Sequence, residues 1–283
     1  MTKRICVTGA SGRAGRVAVR ELLAHGYRVV ATDRVMPAED LGVRPLLADL
    51  TDYGQATEVL QGVDAVVHLA NIPAPEIHTP ATTFNQNMTM NFNVFTAAAQ
   101  AKLERVVWAS SETTLGLPFD VPPRYAPVDE DHYPVPTSTY ALSKVASETV
   151  AAHIAEWSQI PFIGLRFSNI LGPADYQHFP EYWPDPAARR WNLWGYIDER
   201  DAAMACRLAM EAPAKGSVSY IIAAADTVMD RPSAQLLAEV FPGVTLNREV
   251  GEFGTLLAID QARSALGFTP QHSWRDHVAP RSS

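Results

Sequence analysis

The stretch that decides the fold is Thr8-Gly9-Ala10-Ser11-Gly12-Arg13-Ala14-Gly15. It follows a short apolar run that starts at Ile5 and leads directly into a helical pattern that ends at His25. In this order of strand, loop and helix, Gly9 permits a tight turn, Gly12 lets the backbone approach a pyrophosphate, and Gly15 lets the helix pack closely. The free N–H groups of the helix N-terminus then face the phosphates. The stretch therefore predicts a dinucleotide site.

A second apolar run, residues 27–32, ends at Asp33. An acidic side chain at that strand end, about 20 residues past the glycines, is placed to accept hydrogen bonds from the adenosine ribose. Asp33 should also repel the 2′-phosphate of NADP, which favours NAD. Because Arg13 and Arg34 could neutralise such a phosphate, NADP stays open as the less favoured cofactor. A glycine-rich turn that binds nothing is the alternative interpretation.

The composition excludes several classes of protein. The 283 residues suffice for a full core, and a formal net charge of −8 without a basic run argues against a nucleic-acid surface. No run approaches the roughly 18 apolar residues of a membrane span, and the chain enters its first strand without a signal-peptide core, so we expect a cytoplasmic protein. Cys6 and Cys206 are expected to be buried thiols in a reducing compartment. The eight histidines lack metal-ligand spacing, so we expect no metal.

Strand-length apolar runs alternate with helical patterns through the first two-thirds of the chain. The pattern predicts strands at 5–8, 28–32, 45–48, 65–69, 105–110 and 162–167, and helices near 13–25, 53–61, 81–101 and 138–158. Runs that are apolar nearly throughout are typical of parallel strands buried on both faces. Repeated strand-helix units of this length predict an α/β fold, a Rossmann-type doubly wound parallel sheet that binds its ligand at the carboxyl edge.

The character of the sequence changes after Gly172. Residues 174–194 contain three prolines, six aromatic side chains and the basic pair Arg189-Arg190. We expect an irregular lid over the carboxyl edge of the sheet, although aromatic cover for an exposed core is an equal alternative. A helix at 198–210, a strand at 218–223 and short helices at 233–240 and 260–266 follow. We therefore divide the chain into a dinucleotide-binding core, 1–172, and a lid with a small C-terminal substrate-binding region, 173–283, part of which returns to the core.

A tyrosine and a lysine lie four residues apart, and hence on one face, at the start of the fourth predicted helix: Tyr140 and Lys144. A phenol has an ordinary pKa near 10, and a nearby ammonium and a cationic nicotinamide both favour the phenolate. Such a phenolate suits proton exchange with a substrate hydroxyl during hydride transfer. The pair is common in helices by chance. Here it follows a strand that ends in Ser110-Ser111, and a serine there can hydrogen-bond the same substrate oxygen.

With these residues in view, the sequence resembles the extended short-chain dehydrogenase/reductase family, of the NAD-dependent epimerase/dehydratase type, over nearly its whole length. In size it is nearest to the sugar and uronate dehydrogenases of that family. The resemblance rests on the glycine loop, Asp33, Asp49-Leu50, residues 66–70, Asn87, Ser110-Ser111, Tyr140 with Lys144, and the segments 165–173 and 196–201. His68, within this set, is expected to be a strand residue rather than a proton carrier.

The resemblance implies a role for each matched residue. Tyr140 is implied to be the acid/base, Lys144 to lower its pKa and bind the nicotinamide ribose, and Ser111 to hold the reacting oxygen. Besides Tyr140 and Lys144, contacts with NAD are implied for Gly9, Ser11, Gly12, Arg13, Ala14, Gly15, Asp33, Arg34, Asp49, Leu50, Leu69, Ala70, Asn87 and Phe167. Contacts with substrate are implied for Ser111, Glu112, Thr113 and Asn169.

Departures from the family pattern narrow the expected reaction. Dehydratases of the family carry an Asp-Glu pair where this chain has Glu112-Thr113, so the second carboxylate is missing. Nucleotide-sugar epimerases usually carry a tyrosine where this chain has Leu115, and a longer segment than the short one between Pro173 and Asp198. These departures favour an NAD-dependent oxidoreductase acting on a small hydroxy or carbonyl substrate. A sugar or nucleotide-sugar epimerase with tightly bound NAD is the alternative, and a non-catalytic dinucleotide sensor is a remoter one.

Two further expectations follow from the resemblance. Uronate enzymes place an arginine in the lid, where this chain has Gln177 and His178 in rough alignment; Arg189 or Arg190 could instead grip a carboxylate bidentately. A solvated surface pair is the competing interpretation of these two arginines. Family members often pair through the helices expected at 81–101 and 138–158, so we expect a homodimer.

Overall fold

Seven parallel strands form the central sheet of the computed structural model, which describes residues 2–119, 121–132 and 134–279. The strands of this sheet are β1 (Arg4–Thr8), β2 (Arg28–Asp33), β3 (Leu46–Leu47), β4 (Ala65–His68), β5 (Arg105–Ser111), β7 (Phe162–Phe167) and β10 (Ser217–Ile222). Two small parallel pairs are β6 (Tyr125–Ala126) with β11 (Thr245–Leu246), and β8 (Ile170–Leu171) with β9 (Ile197–Asp198). The helices are α1 (Arg13–Ala24), α2 (Tyr53–Val59), α3 (Pro80–Gln100), α4 (Thr139–Ser158), α5 (Glu199–Glu211), α6 (Ser233–Val240) and α7 (Asp260–Leu266).

The order of the strands in the central sheet is β10-β7-β5-β4-β1-β2-β3. The chain runs outward from β1 to β3 and then crosses to β4 on the other side of β1. At such a reversal the loops after neighbouring strands diverge and leave a crevice at the carboxyl ends. The doubly wound α/β fold predicted from the sequence is confirmed, and the reversal between β1 and β4 marks where a ligand should bind.

The two faces of the sheet bury different helices because successive strand side chains point to opposite faces. Ile5 and Val7 of β1 pack in one cluster with α1, α5 and α7, whereas Cys6 packs in another with α2, α3 and α4. The central strands β1, β4, β5 and β7 are therefore buried on both sides, as their unbroken apolar character predicts. Strand β3 is an exception: Leu46 and Leu47 lie at the sheet edge and are about half exposed, so the expectation of burial on both faces was wrong there.

A third cluster holds the C-terminal part of the chain together. It joins α6 to the segment 173–194, which forms turns of 3-10 helix at Pro173–Glu181 and Arg190–Asn192. Tyr176, Phe179, Trp183 and Trp194 are buried in this cluster, so for these aromatic side chains the interpretation as core cover was right. Helix α5 and strand β10 return from this part of the chain to complete the main sheet and one of its helix layers. Within the described ranges, no helix has the length and apolar character needed to cross a membrane.

Candidate active site

A cavity of about 800 Å³ lies at the carboxyl ends of the central strands. It begins at the glycine loop between β1 and α1, passes Asp33 at the end of β2, and continues past Ser111 to Tyr140 and Lys144. One continuous space thus contacts both groups of residues that the sequence singled out. Its volume falls within the range of about 300 to 1,000 Å³ typical of small-molecule sites.

The glycine loop has no room for larger residues at two positions. Gly9 has a φ of +68°, and a Cβ built there would lie 2.7 Å from the backbone nitrogen of Ala70. A Cβ on Gly15 would lie 1.9 Å from the carbonyl oxygen of Gly9. The first turn of α1 therefore packs directly on the loop, and no side chain caps its N-terminal N–H groups. Such a helix end fits the pyrophosphate of a dinucleotide.

Asp33 is held in place by two backbone amides. Its Oδ2 accepts from Ser11 N at 3.0 Å, and its Oδ1 accepts from Val35 N at 3.2 Å. The carboxylate lines the cavity one strand away from the glycine loop, the placement required to accept hydrogen bonds from a ribose. Two cations that could have favoured a 2′-phosphate are partly engaged. Arg13 forms an ion pair with Asp175, and Arg34 lies near Asp49.

Asp49 and Leu50 line the same end of the cavity, after β3. Hydrogen bonds from the backbone and the hydroxyl of Thr51, with Arg34 nearby, lower the pKa of Asp49. Leu69, Ala70 and Phe167 also line the cavity. All the residues expected to contact NAD line the cavity, except Asn87.

Asn87 supports the cavity wall instead of facing the cavity. Its side chain is fully buried, its Oδ1 accepts from Ile72 N at 2.7 Å, and its Nδ2 donates to Ile72 O at 3.1 Å. The amide thus pairs with both backbone groups of one residue in the loop that follows β4. The expected direct contact with NAD is corrected to a positioning role, because both ends of the amide are already engaged.

Tyr140 and Lys144 lie on the buried face of the first turns of α4. The helix starts there because the Ser138 hydroxyl accepts from Ala141 N at 3.1 Å, an N-cap interaction. The Lys144 ammonium donates to the carbonyl oxygen of Ala109 at 2.8 Å and lies 5.6 Å from the centre of the Tyr140 ring. The phenol shares a hydrogen bond with Ser111 at the end of β5. Helix α4 and strand β5 thus bring together three residues that are far apart in the sequence.

Burial dominates the acid-base properties of this group. It raises the pKa of Tyr140 to about 12, although the hydrogen bond with Ser111 opposes this change. It also lowers the pKa of Lys144 to about 7, with Glu148 opposing. We expected Lys144 to lower the pKa of Tyr140, but in the protein alone the loss of solvation is the larger effect. The phenolate therefore needs additional positive charge, which the cationic nicotinamide of a bound NAD would supply.

Glu112 and Asn169 line the cavity beside these three residues. Glu112 is buried, and burial raises its pKa to about 7. Its Oε1 accepts from Asn192 Nδ2 at 3.3 Å. Thr113 also faces the cavity and donates its backbone N–H and its hydroxyl to Ser111 Oγ, at 3.2 and 3.0 Å. These two hydrogen bonds from Thr113 therefore orient the Ser111 hydroxyl.

Arg189 requires a correction. It is neither a solvated surface residue nor part of the cavity lining, since only 7% of it is exposed. Its Nη2 donates to the carbonyl oxygen of Gly195, and its guanidinium lies over the rings of Tyr182 and Trp191. The apolar core of the lid encloses it behind the wall that contains Glu112. An arginine in that position supports the wall and cannot grip a substrate carboxylate directly. Gln177 and His178, the positions matched to the uronate arginine, also lie outside the lining.

Several lining residues were missed by the sequence analysis. They are Ile72, Pro73, Pro75, Ile77 and His78 in the loop after β4, Gln86 and Met90 on α3, Ser168 after β7, and Trp191 in the lid. Their residue types carry no recognisable pattern. The position of the loop after β4 was the available signal, because that strand stands at the reversal of strand order.

A buried chain of hydrogen bonds connects the cofactor side of the cavity to α4. Thr8 Oγ1 accepts from the amides of Leu69 and Ala70, so its hydroxyl donates to Nδ1 of His68. This leaves the proton of the neutral imidazole on Nε2, which donates to Asn91 Oδ1 at 2.9 Å, and Asn91 Nδ2 donates to Ser147 on α4. Burial lowers the pKa of His68 to about 3, which fits a neutral structural residue.

Comparisons with known proteins show the family and the fold to which the chain is similar. The model of the "NAD dependent epimerase/dehydratase family" matches residues 5–223. An NAD-dependent glucose-6-phosphate dehydrogenase of Haloferax volcanii is 25% identical over 96% of this chain and 94% of its own length. A UDP-glucose 4-epimerase of Lacticaseibacillus casei is 26% identical over 97% of this chain and 94% of its own length. A short-chain dehydrogenase/reductase superfamily structure from Agrobacterium tumefaciens, solved with bound NAD, superposes with a TM-score of 0.74 at 21% identity, covering 96% and 93% of the two chains.

Proposed function

We propose that this chain, which belongs to the NAD dependent epimerase/dehydratase family, transfers hydride between NAD and a small hydroxy or carbonyl compound of the sugar or uronate kind. The enzyme uses NAD, the cofactor of its family. The observation that carries the proposal is the meeting of Ser111, Tyr140 and Lys144 at one end of a cavity whose other end has a dinucleotide-binding loop. A binding protein without catalysis would not require this group.

NAD, when bound, supplies the hydride acceptor and a positive ring charge. In the direction of oxidation, Ser111 and Tyr140 both contact the substrate oxygen. The phenolate of Tyr140 takes the proton of the substrate hydroxyl, while hydride leaves the carbon that bears this hydroxyl for the nicotinamide. The alcohol thereby becomes a carbonyl. Reduction reverses both transfers. Lys144, anchored on Ala109, keeps a positive charge near the phenol whenever it is protonated.

The test of the proposal is the net formation of NADH, followed by its near-ultraviolet absorbance, with a panel of neutral sugars, uronates, sugar phosphates and simple alcohols. We expect absorbance to rise with at least one class, and to fall when NADH and the matching carbonyl compound are supplied. Turnover of a sugar without any change in absorbance would contradict a dehydrogenase.

The second candidate function is epimerisation with NAD kept bound. The similarity to a UDP-glucose 4-epimerase favours it, whereas Leu115 and the short lid do not. Chromatography of sugar products after incubation without added NAD separates the two, because an epimerase interconverts sugars under these conditions and a dehydrogenase does not. A non-catalytic sensor is the third candidate, and it would gain support if Tyr140→Phe kept its cellular role.

We also propose a homodimer formed through α3 and α4, which lie side by side in one helix layer. Helix α3 contains no charged residue. Phe92 on α3 and Leu142 on α4 are about half exposed. A second copy would cover the uncharged helix α3 together with the exposed side chains of Phe92 and Leu142. We expect light scattering to give a dimer mass for the wild-type chain and a monomer mass for Phe92→Glu; a monomeric wild type at micromolar concentration would contradict the proposal.

A cytoplasmic location is part of the same proposal. Cys6 and Cys206 are buried and unbridged, and burial raises the pKa of both thiols. Protonated thiols of this kind suit a reducing compartment. Fractionation of the producing cells, followed by detection of the chain, would test the location.

A further inference from the structure

Four buried polar atoms of residues at the wall of the cavity next to Ser111 have no hydrogen bond of ordinary distance and angle, although the Ser168 hydroxyl lies near enough to Glu112 to lower the pKa of its carboxyl. They are Glu112 Oε2, Ser168 Oγ, Arg189 Nε and Asn192 Oδ1. Buried polar groups in folded proteins are nearly always hydrogen-bonded, and exceptions that cluster point to a water or a ligand group. Two of the four residues, Glu112 and Ser168, also line the cavity.

The other two residues, Arg189 and Asn192, do not line the cavity and connect this wall to the lid. Asn192 Nδ2 donates both to Glu112 Oε1 at 3.3 Å and to the carbonyl oxygen of Gly195 at 2.8 Å, and Arg189 donates to that same oxygen. Space for a side chain at Gly195 is limited, since a Cβ there would lie 2.7 Å from Leu257 Cδ1 and 3.1 Å from Ser168 Oγ. The carboxyl of Glu112, which directly follows β5, therefore accepts a hydrogen bond from the lid.

The carboxyl of Glu112 lines the cavity, whereas the guanidinium of Arg189 does not. Arg189 is close enough to Glu112 to oppose the rise of its pKa, and the Ser168 hydroxyl and the Asn169 amide act in the same direction. Arg189 itself is absent from the lining of the cavity, whereas Glu112 and Trp191 belong to it. A group that enters the cavity therefore meets an acceptor and a hydroxyl and not a free cation.

We propose that Glu112 and Ser168 form a subsite for a second hydroxyl of the substrate, on the carbon next to the reacting one, and that the substrate is an uncharged polyhydroxy compound. This inference rests on the proposed function and narrows it. A hydroxyl can donate to Glu112 Oε2 and accept from Ser168 at once, whereas a carbonyl or an ether oxygen cannot donate. A carboxylate or phosphate there would face the carboxyl of Glu112.

The spacing of the subsite explains why the second hydroxyl is the adjacent one. Ser111, which holds the reacting oxygen, and Glu112 are consecutive residues, and consecutive Cα atoms are about 3.8 Å apart. Their side chains can therefore reach oxygens on neighbouring carbons. Of the lysine and arginine side chains that line the cavity, Arg13 pairs with Asp175 and Lys144 donates to a backbone carbonyl, whereas Arg34 lies near Asp49 at the end of the cavity proposed for the adenosine.

The experiment compares substrates that differ by one group. Initial rates of NADH formation are measured with D-glucose, L-arabinose, 2-deoxy-D-glucose and D-glucuronate, and rates of NADH oxidation with dihydroxyacetone and acetone. The matched pairs are D-glucose with 2-deoxy-D-glucose, and dihydroxyacetone with acetone. In each pair we expect kcat/KM to be at least tenfold higher for the compound that has the adjacent hydroxyl. We also expect D-glucuronate to show no advantage over D-glucose.

The variants are Glu112→Ala, Glu112→Gln and, as the matched control, Glu181→Gln, which changes an exposed glutamate of the lid. Glu112→Ala should lower kcat/KM for the hydroxyl-bearing compound at least tenfold and reduce the ratio within each pair to about one. Glu112→Gln keeps the size of the side chain and tests the role of the carboxylate if the alanine variant does not fold. Glu181→Gln should keep the wild-type ratio. Thermal unfolding and NADH binding verify that each variant is folded.

The outcomes separate the inference from the proposed function. A ratio near one in the wild type, a wild-type ratio retained in both Glu112 variants, or turnover confined to anionic or monohydroxy compounds overturns the subsite and leaves the hydride transfer standing. Failure to transfer hydride to or from every compound, in a protein that binds NADH, overturns the proposed function and the subsite with it.

Discussion

Replacing Gly15 by alanine tests the geometry on which the cofactor site depends. A new Cβ at this position would lie 1.9 Å from the carbonyl oxygen of Gly9 and 2.6 Å from its carbonyl carbon, whereas real Cβ atoms essentially never approach another heavy atom closer than 3.0 Å. The loop and the helix must therefore separate by about 1 Å. Both groups are backbone atoms, so no side-chain rotation can relieve the contact.

Two opposing effects set the size of the change. Alanine favours a helix over glycine by about 1 kcal/mol, whereas forcing extra atoms into a packed position costs about 1 to 3 kcal/mol and more when the backbone must move. We expect the contact to prevail and the free energy of unfolding to fall by about 1 to 3 kcal/mol. A loss of this size corresponds to several degrees in Tm for a domain of this length. The shifted loop should also bind NADH at least tenfold more weakly.

The measurements are thermal unfolding and titration of NADH fluorescence, with Gly243→Ala as the matched control. A Cβ on Gly243 would meet no atom within 4 Å, and its φ is not positive, so that variant should keep both the Tm and the affinity of the wild type. If Gly15→Ala unfolds at the wild-type temperature and binds NADH equally well, the close contact between α1 and the loop is refuted as the reason for glycine there.

Three further results are expected. Tyr140→Phe should lower kcat by about 10² to 10⁴, the usual contribution of a general acid or base, while NADH titration shows unchanged binding; near-normal turnover would exclude Tyr140 as the proton carrier. Burial lowers the pKa of His68 in the folded chain to about 3 from its ordinary value of 6.5, so the unfolded chain binds an extra proton in that interval; stability should fall as pH drops from 6.5 toward 3 by about 1.4 kcal/mol per pH unit. In urea unfolding at several pH values, His68→Gln should flatten this slope, and an unchanged slope would contradict the assignment. Glu148→Ala should cost about 3 to 5 kcal/mol in the same assay because it leaves the buried guanidinium of Arg166, bonded to Glu148 at 2.9 and 2.8 Å, without its partner; a loss below about 1 kcal/mol would contradict a net role for that pair.

The strands and helices were predictable because their signals are local. Parallel strands such as β4 and β7 are apolar throughout, and α1 begins directly after a glycine loop, so neighbouring residues alone identify them. The exposure of Leu46 and Leu47 was not predictable in this way. A two-residue strand of the same apolar composition is buried or exposed according to whether another strand lies beyond it, and the chain places β3 at the edge.

The direction of a side chain decides whether a residue predicted for the site lines the cavity. The glycine loop, Asp33 and the Tyr140-Lys144 pair follow directly from an element end or a helix period, and all of them line the cavity. Asn87 and Arg189 have the right chemistry for a phosphate or carboxylate ligand, but their partners are backbone groups of Ile72 and Gly195. These partners lie in other segments of the chain and carry no sequence signal.

The sequence by itself determined the doubly wound sheet and NAD as the cofactor, and it predicted the chemistry of hydride transfer, because a loop, a strand end and one helical turn each carry their signal in a few adjacent residues. Only the tertiary structure decided which polar groups face the cavity. It buried Arg189 outside the lining, brought Asn192 of the lid against Glu112, which directly follows β5, and left Glu112 and Ser168 facing the cavity. The physical reason is that solvation and hydrogen-bond partners, which set the charge and direction of a polar side chain, depend on segments that meet only after folding.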